Sequence, residues 1–455
     1  MSKRVADVVI ETLQAAGVKR CYGIVGDTLN RIAHAIHESK IEWVHMRHEE
    51  AGAFAASAEG LFTGELVACA GSCGPGSLHF INGLYEANRN RAPVVLIATQ
   101  VIRADIGFNM IQEVDFAQVY KDCSVFCEMI LTPEQARRKT VAACQAALTK
   151  RGVAVLVVPA DISNAGAHEE RPYSVHARRP TIRPSDADLD EIAAILNKSD
   201  AITIYAGAGS AGAHDEVVAT AARLKAPIAH TSRGKDFIAY DNPYNVGMTG
   251  LVGGPAGYHA ILECDVLLLL GADFAWSQFY PDKATIVQID LDPTHIGHRH
   301  PVAFGVVGDI NATLEALLPC LQQHSDGGFL ATHVKRYQKD RESAEAETVS
   351  GPESTISGTY LTKIINKYAA KDALFAADDG TAAVWMLRYI DTEGKRLRQP
   401  ASWHDGKWDA VGDRIAKMSA WAAGRMPGRR WWIRHAARRS TDCRARESAD
   451  QDRRL

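Results

Sequence analysis

The sequence predicts an α/β fold built from successive parallel-sheet units, on three observations. Apolar runs such as Leu66-Val67-Ala68-Cys69-Ala70, Pro93 to Ala98 and Val153 to Val158 do not alternate with polar residues, the pattern of strands buried on both faces. Segments of helical periodicity separate these runs. Glycine-rich turns join strand to helix repeatedly: Gly26-Asp27-Thr28, Gly71 to Ser77, Gly207 to Gly212, Gly250 to Gly254 and Gly380-Thr381. Such turns place backbone N–H groups and a helix N-terminus where an anion can sit. Each one alone is equally an ordinary tight turn; recurrence at corresponding places in three units is the stronger signal.

The elements follow in order. Val5 to Ala16 is apolar at helical spacing and closes at Gly17, a C-cap. A short strand, Arg20 to Ile24, reaches the Gly26-Asp27 turn, and Thr28 is placed to cap the next helix. Ile41 to Val44 reads as a strand leading through His48-Glu49-Glu50 into an Ala-rich helix, Ala51 to Gly60. Residues 163–188 are poor in core residues and read as a linker. A second unit runs from the strand Ala201 to Tyr205 and the helix Ala213 to Leu224 through strands at Ile228 to His230, Val266 to Leu270, Ile286 to Ile289 and Phe304 to Val307. Residues 325–355 are polar and charged and read as a second linker. A third unit opens with the helix Tyr360 to Ala369 and the strand Leu374 to Ala377, which meets Asp378-Asp379-Gly380-Thr381. The predicted domains are therefore 1–180, 181–330 and an incomplete 331–396, with 397–455 outside the fold.

At 455 residues the chain has room for two or three domains. A net charge of −3 gives no reason to expect nucleic-acid binding. There is no apolar run of about 18 residues and no apolar stretch behind Met1-Ser2-Lys3-Arg4, so neither a spanning helix nor a signal peptide is expected, and the expected compartment is the cytoplasm. The nine cysteines include no CxxC pair. Cys123 and Cys127, four apart, are expected on one helix face as reduced thiols, with a metal or redox role the lesser alternative.

Two acidic positions invite chemistry. Adjacent helix residues point about 100° apart, so only one of Glu49 and Glu50 can enter a given site. A carboxylate there is either a partner for the helix dipole or, if buried beside a heteroaromatic ring, a proton donor and acceptor. The second unit resembles a dinucleotide-binding domain without GxGxxG; Asp290 ends its strand where an acid commonly grips a ribose, and Asp309 is expected to close the next strand.

Three ordered motifs resemble thiamine-diphosphate enzymes. Gly23-Ile24-Val25-Gly26-Asp27, Arg47-His48-Glu49-Glu50-Ala51-Gly52-Ala53 and Gly71-Ser72-Cys73-Gly74-Pro75-Gly76 with Asn82-Gly83-Leu84 are similar to the pyrimidine-binding domain of that family. Ala226-Pro227-Ile228, Arg233-Gly234-Lys235, Asp241-Asn242-Pro243 and Gly247-Met248-Thr249-Gly250-Leu251 are similar to the FAD-binding middle domain of its pyruvate oxidase and quinone-linked pyruvate dehydrogenase branch. The resemblance spans residues 4–396.

It implies oxidative decarboxylation of pyruvate to acetate and CO₂, with thiamine diphosphate as electron sink, FAD as acceptor and a quinone beyond it. Glu49 would protonate the aminopyrimidine, and Gln112 and Glu113 would face the substrate. Gly26, Asp27, Ser72, Gly74, Pro75, Gly76 and Asn82 would line the coenzyme. Gly207, Gly209, Arg233, the run Thr249, Gly250, Leu251, Val252, the run Ala272, Asp273, Phe274, Ala275, Trp276, and Asp290 with Asp309 would hold FAD. Gly380 and Thr381 would touch the pyrophosphate. The partners implied are pyruvate or a related 2-oxo acid, a quinone and further copies of the chain as a homo-oligomer. Nucleic acid is not implied, and membrane contact is at most peripheral. An acetolactate-synthase-like carboligase and an inactive FAD-binding fragment are the alternatives; an NAD dehydrogenase would leave the first unit's motifs unexplained.

The chain departs from the family at three places. Ile111-Gln112-Glu113 stands where Phe-Gln-Glu is usual, Asp379 stands where an apolar residue is usual, and the Gly-Asp-Gly and Asn ligands of Mg²⁺ are missing, so no metal ligand is assigned. Residues 395–455 instead carry 16 Lys/Arg against 7 Asp/Glu, leaving −12 for residues 1–394, and hold five of the eight tryptophans. Three origins fit that tail: a basic membrane-surface segment, a disordered tail, or the third domain read out of frame. The out-of-frame reading explains most. Gly428-Arg429-Arg430-Trp431-Trp432-Ile433, written GGG CGA CGG TGG TGG ATT, gives Gly-Asp-Gly-Gly-Gly when shifted by one base. His404-Asp405-Gly406-Lys407-Trp408 gives Met-Thr-Ala-Asn-Gly in the same shift.

Overall fold

Fourteen strands, all in parallel pairs, are found among the described residues. The first sheet comprises β1 (Arg20–Gly23), β2 (Glu42–His45), β3 (Val67–Gly71), β4 (Val94–Gln100), β5 (Phe126–Met129) and β6 (Val153–Pro159), in the order β2-β1-β3-β4-β6-β5. Every residue of β3, β4 and β6 is buried, which is why these strands read as unbroken apolar runs. One face packs on the helices Val5–Ala15, Asn30–His37 and Ala136–Lys150, the other on Glu49–Thr63 and Ile81–Arg89. Burying a Val, Leu or Ile side chain is worth roughly 1.5–3 kcal/mol, so these two apolar layers dominate the stability of the unit.

The structure is a computed structural model that describes residues 3–167, 174–346, 356–377 and 380–392, and the backbone of 396–398. The chain divides into a unit of residues 1–411 and one of 412–455, and all described residues belong to the first.

The second sheet repeats the architecture with β7 (Ile202–Ala206), β8 (Ile228–His230), β9 (Asn245–Met248), β10 (Val266–Leu270), β11 (Thr285–Asp290) and β12 (Phe304–Val307), in the order β12-β11-β10-β7-β8-β9. The strand order reverses between β1 and β3 in the first sheet and between β7 and β10 in the second. In open α/β sheets a crevice forms beyond the carboxyl ends of the strands at such a reversal. The third unit contributes β13 (Leu374–Ala376) and β14 (Arg396–Arg398), paired in parallel across the helix Thr381–Tyr389.

That helix docks on the second unit. Lys235, buried, donates from Nζ to the Leu387 carbonyl. Arg341 reaches the Arg388 carbonyl at 3.2 Å and Asp391 Oδ1 at 3.0 Å. Arg388 in turn donates from Nε to the Val252 carbonyl at 2.8 Å and from Nη2 to the Gly253 carbonyl. Cations at the carbonyl end of a helix are favourably placed for its dipole.

Four sequence expectations need correction. Residues 325–355 are not simply a linker: Gly328–Glu345 is an 18-residue helix. Its polar majority hides an apolar edge of Phe329, Val334 and Tyr337, which packs on the second unit, with His333 buried beside it. Residues 347–355 lie outside the described residues. Cys123 and Cys127 do not share a helix face, because Cys127 lies on β5 and Cys123 in the turn before it. Both thiols are pushed up, to about 12 and about 11, chiefly by burial. Thr28 does not cap the following helix, and Asp309 does not end a strand but precedes the helix Ile310–Leu317, its Oδ2 accepting from the Ile182 N–H at 2.6 Å. Asp378, Asp379 and the tail beyond β14 lie outside the described residues.

Candidate active site

The reversal between β1 and β3 gathers the first group of candidate residues. Gly26 crosses so close to Ser72 that a Cβ on it would stand 2.5 Å from Ser72 Cβ. Ser72 Oγ donates to Asp27 Oδ1 at 3.1 Å, and Thr28 Oγ1 lies 3.0 Å from Ser72 Oγ and 2.8 Å from Thr99 Oγ1 while accepting from the Cys73 N–H at 2.9 Å. Thr28 thus ties together the ends of β1, β3 and β4. Gly74, at φ 63°, opens the turn Pro75–Leu78, and a Cβ there would press on Gln112 at 3.0 Å.

The helix Glu49–Thr63 opens at His48, whose Nδ1 accepts from the Glu50 N–H at 3.3 Å. The two acids then diverge as helix geometry requires. Glu50 Oε1 accepts from Asn82 Nδ2 at 2.8 Å, so Asn82 serves the scaffold here. Glu49, 7% exposed, turns to the glycine-rich turn: Oε2 lies 3.0 Å from His79 Nδ1, and Oε1 lies 3.8 Å from where a Cβ on Gly76 would stand. The His48 and His79 rings stack at 4.6 Å and 26°. His48, Glu49 and His79 bring ligand-capable atoms within 4.8 Å of one another. Their hydrogen bonds already engage both Nδ1 atoms and one Glu49 oxygen, His79 bonding Glu49 while His48 bonds the Glu50 N–H.

Gln112 Oε1 accepts from Cys73 Sγ at 3.1 Å, which lays the 103–114 loop over the glycine turn. Glu113 bonds its own loop, accepting from the Gly107 N–H at 2.6 Å and the Met110 N–H at 3.2 Å. Ile111 stands 97% exposed at the loop tip, near Phe108 and Met110.

The reversal between β7 and β10 gathers the second group. Gly207 and Gly209 pack against Gly271, and a Cβ on Gly207 would stand 2.2 Å from the Gly271 carbonyl oxygen. Close backbone crossing therefore accounts for both glycines. Ala272 is buried, and Phe274 meets Tyr205 edge-on at 5.3 Å beside Trp276 at 5.6 Å. Burial alone would raise the Asp273 carboxyl; the hydrogen bonds and charge of Arg299, with His295 and His298, outweigh it and hold the group below its usual range. Asp290, buried, accepts from the Asp292 N–H at 2.9 Å and faces His295 Nδ1 at 3.3 Å.

The loop after β9 carries an orphan: Thr249 Oγ1 is buried with no hydrogen-bond partner among the described residues. Gly250 follows at φ 86° under Phe274, and Leu251 is 65% exposed. Arg233 donates to the Arg89 and Asn90 carbonyls and so bridges the first two units. Gly380, at φ 88°, opens the helix Thr381–Tyr389. The sequence did not single out His79, Thr28 as a cross-strand tie, or Arg388. His79 had one signal, its place at the end of the glycine-rich turn.

Two family profiles match the chain. The profile described as thiamine pyrophosphate enzyme, N-terminal TPP binding domain, matches residues 3–119, and the one described as its central domain matches residues 189–317. An uncharacterized 42.6 kDa protein in the isoamylase 3′ region of Pseudomonas amyloderamosa is 48% identical, covering 74% of this chain and 86% of its own length. YdaP of Bacillus subtilis, provisionally named as thiamine pyrophosphate-containing, is 31% identical, covering 88% and 70%. A pyruvate oxidase of Lactiplantibacillus plantarum is 27% identical over 84% of this chain and 64% of its own length, and acetolactate synthase isozyme 2 large subunit of Escherichia coli is 28% identical over 85% and 70%.

Proposed function

Because the chain belongs to the thiamine pyrophosphate enzyme family, we propose that it binds thiamine diphosphate (the same compound) with Glu49 at the pyrimidine, and acts on pyruvate or a related 2-oxo acid. The observation that carries this is Glu49 itself, a buried carboxylate with one oxygen held by His79 and the other facing Gly76, where the absence of a side chain leaves room for a ring. When bound, the coenzyme supplies the electron sink into which a 2-oxo acid loses CO₂. Glu49 holds a proton at Oε1 for the ring. Gln112 and the 103–114 loop cover the cradle and meet the substrate, and exposed Ile111 gives that loop an aliphatic tip.

FAD fits the second reversal in part. The orphaned Thr249 hydroxyl wants a polar partner, and Gly250 leaves backbone open beside it. Asp290 already has partners, so a ribose there competes with His295. We read FAD as the electron acceptor, a quinone as the next carrier and a cytoplasmic homo-oligomer as the working form. Among the described residues no helix is long and apolar enough to cross a membrane. The family's Gly-Asp-Gly ligand motif for Mg²⁺ does not occur in the sequence, and no step is assigned to that ion. The second reading is a carboligase, favoured by the acetolactate synthases among the relatives.

Calorimetric titration with thiamine diphosphate and Mg²⁺ tests the proposal: saturable binding supports it. Glu49→Gln removes an interaction to a charged group worth about 1.5–3 kcal/mol, so affinity should fall by about tenfold or more. No binding by the unaltered chain would overturn it. Acetate from pyruvate selects the oxidative reading and acetolactate the carboligase.

A further inference from the structure

The inference rests on Glu49 serving the coenzyme and concerns how a carboxylate shut away from water exchanges its proton. The Glu49 side chain is 10% exposed, whereas the His79 side chain that touches it is 47% exposed. His79 is Glu49's one polar partner among the described residues, with Nδ1 at 3.0 Å from Oε2. With the carboxyl proton on Oε1, Oε2 can only accept, so at this distance Nδ1 carries the hydrogen and Nε2 keeps its lone pair. Nε2 has no protein partner among the described residues, on a ring that reaches solvent.

The ring is held in place. His79 follows directly on the turn Pro75–Leu78, where Ser77 Oγ donates to the Ser72 carbonyl at 2.8 Å and buried Tyr120 donates to the Ser77 carbonyl. The His48 ring stacks on it. His48 Nδ1 already accepts from the Glu50 N–H, so His48 positions the ring without competing for Glu49. Oε1 is left for the coenzyme while Oε2 leads outward.

We propose that His79 is the proton relay between Glu49 and solvent, a positioning residue that acts through the carboxylate. The step balances as three hops. Oε1 gives its proton to the coenzyme as Nδ1 passes its own proton to Oε2 and Nε2 takes one from a hydronium ion, leaving water. Glu49 is then the acid protonated at Oε2 and His79 the neutral Nε2–H tautomer. Discharge is the reverse: Oε1 recovers its proton, Oε2 returns its proton to Nδ1 and Nε2 gives its proton to water.

Two measurements on the full chain decide it. In the first, ¹⁵N-histidine NMR without coenzyme reports the ring tautomer, with the His79 signal identified by its loss in His79→Gln. The relay requires the Nδ1–H form in the unaltered chain and its loss from dominance in Glu49→Ala. An Nε2–H form, or the same tautomer in both, overturns it. In the second, the chain is loaded with thiamine diphosphate and turned over with pyruvate. His79→Ala should lose about tenfold or more in rate, bind the coenzyme within about threefold of the unaltered chain, and recover with added imidazole. His79→Gln can donate to Oε2 but cannot pass a proton on, so it should lose rate too. Turnover near that of the unaltered chain in both variants overturns the relay. Absence of coenzyme binding in the unaltered chain counts against the proposed function instead, and the tautomer measurement still decides the relay.

Discussion

Lys235 offers a sharp test of how the helix Thr381–Tyr389 is held. It is 6% exposed, and its ammonium is pushed down to about 7 from 10.5, chiefly by burial and then by the charge of Arg341, with Asp391 and Asp236 opposing. Each unit of displacement is about 1.4 kcal/mol, so keeping this ammonium charged in the folded chain costs about 5 kcal/mol relative to water. The bond to the Leu387 carbonyl returns about 1.5–3 kcal/mol. Lys235→Met should therefore stabilise the chain at pH 7 and below, by about 2 kcal/mol. The pH dependence has a definite sign. Between pH 7 and about 10.5 the unfolded chain keeps a proton that the folded chain has lost, so stability rises with pH across that window by up to about 1.4 kcal/mol per unit. The variant lacks that contribution, so its advantage should vanish by about pH 9 and reverse above it. Urea unfolding of both proteins from pH 6 to 10 reads the difference directly. Parallel curves, or a variant less stable at pH 7, would refute a buried, poorly solvated lysine.

Other outcomes follow from the same geometry. His230 is pushed down to about 4 by burial, so the unfolded chain takes up an extra proton as pH falls from about 6.5 to 4, and stability should drop across that window. His230→Gln should flatten that part of the unfolding curve, and an unchanged slope would contradict the burial. Gly207→Ala forces a methyl to within 2.2 Å of the Gly271 carbonyl oxygen and should cost about 1–3 kcal/mol in denaturant unfolding, with no effect expected from Gly212→Ala beyond backbone strain at its φ of 84°. The gene, read one base over from about codon 396, should encode Gly-Asp-Gly near codon 428. Stop codons in that frame would end the out-of-frame account of the tail.

The sheets were legible because their central strands are buried on both faces and leave no polar interruption. Leu66 to Ala70 and Val153 to Val158 announce themselves. The glycine turns were legible for the same local reason, though Gly207 and Gly209 turn out to serve a backbone crossing. What stayed hidden depends on register. His79 lies thirty residues beyond Glu49, and they meet because β3 pairs beside β1 and delivers the turn Pro75–Leu78 onto the start of the Glu49 helix. The helix Gly328–Glu345 was missed because its apolar edge is narrow and its other faces are charged, which in a sequence is the signature of a linker. Cys123 and Cys127 show the converse error. A spacing of four means a shared face only inside a helix, and Cys127 belongs to β5.

The contact of Arg388 with the Val252 and Gly253 carbonyls makes the helix Thr381–Tyr389 a lever. One end begins at the positive-φ turn of Gly380, and the other grips the loop that carries the orphaned Thr249 hydroxyl. Whatever orders the Gly380 end favours one arrangement of that loop. By reciprocity, a ligand that settles the loop favours the same arrangement at Gly380, with equal free energy in both directions. Two candidate sites written far apart in the chain would then share one account of conformational freedom, and Arg388→Ala would separate them.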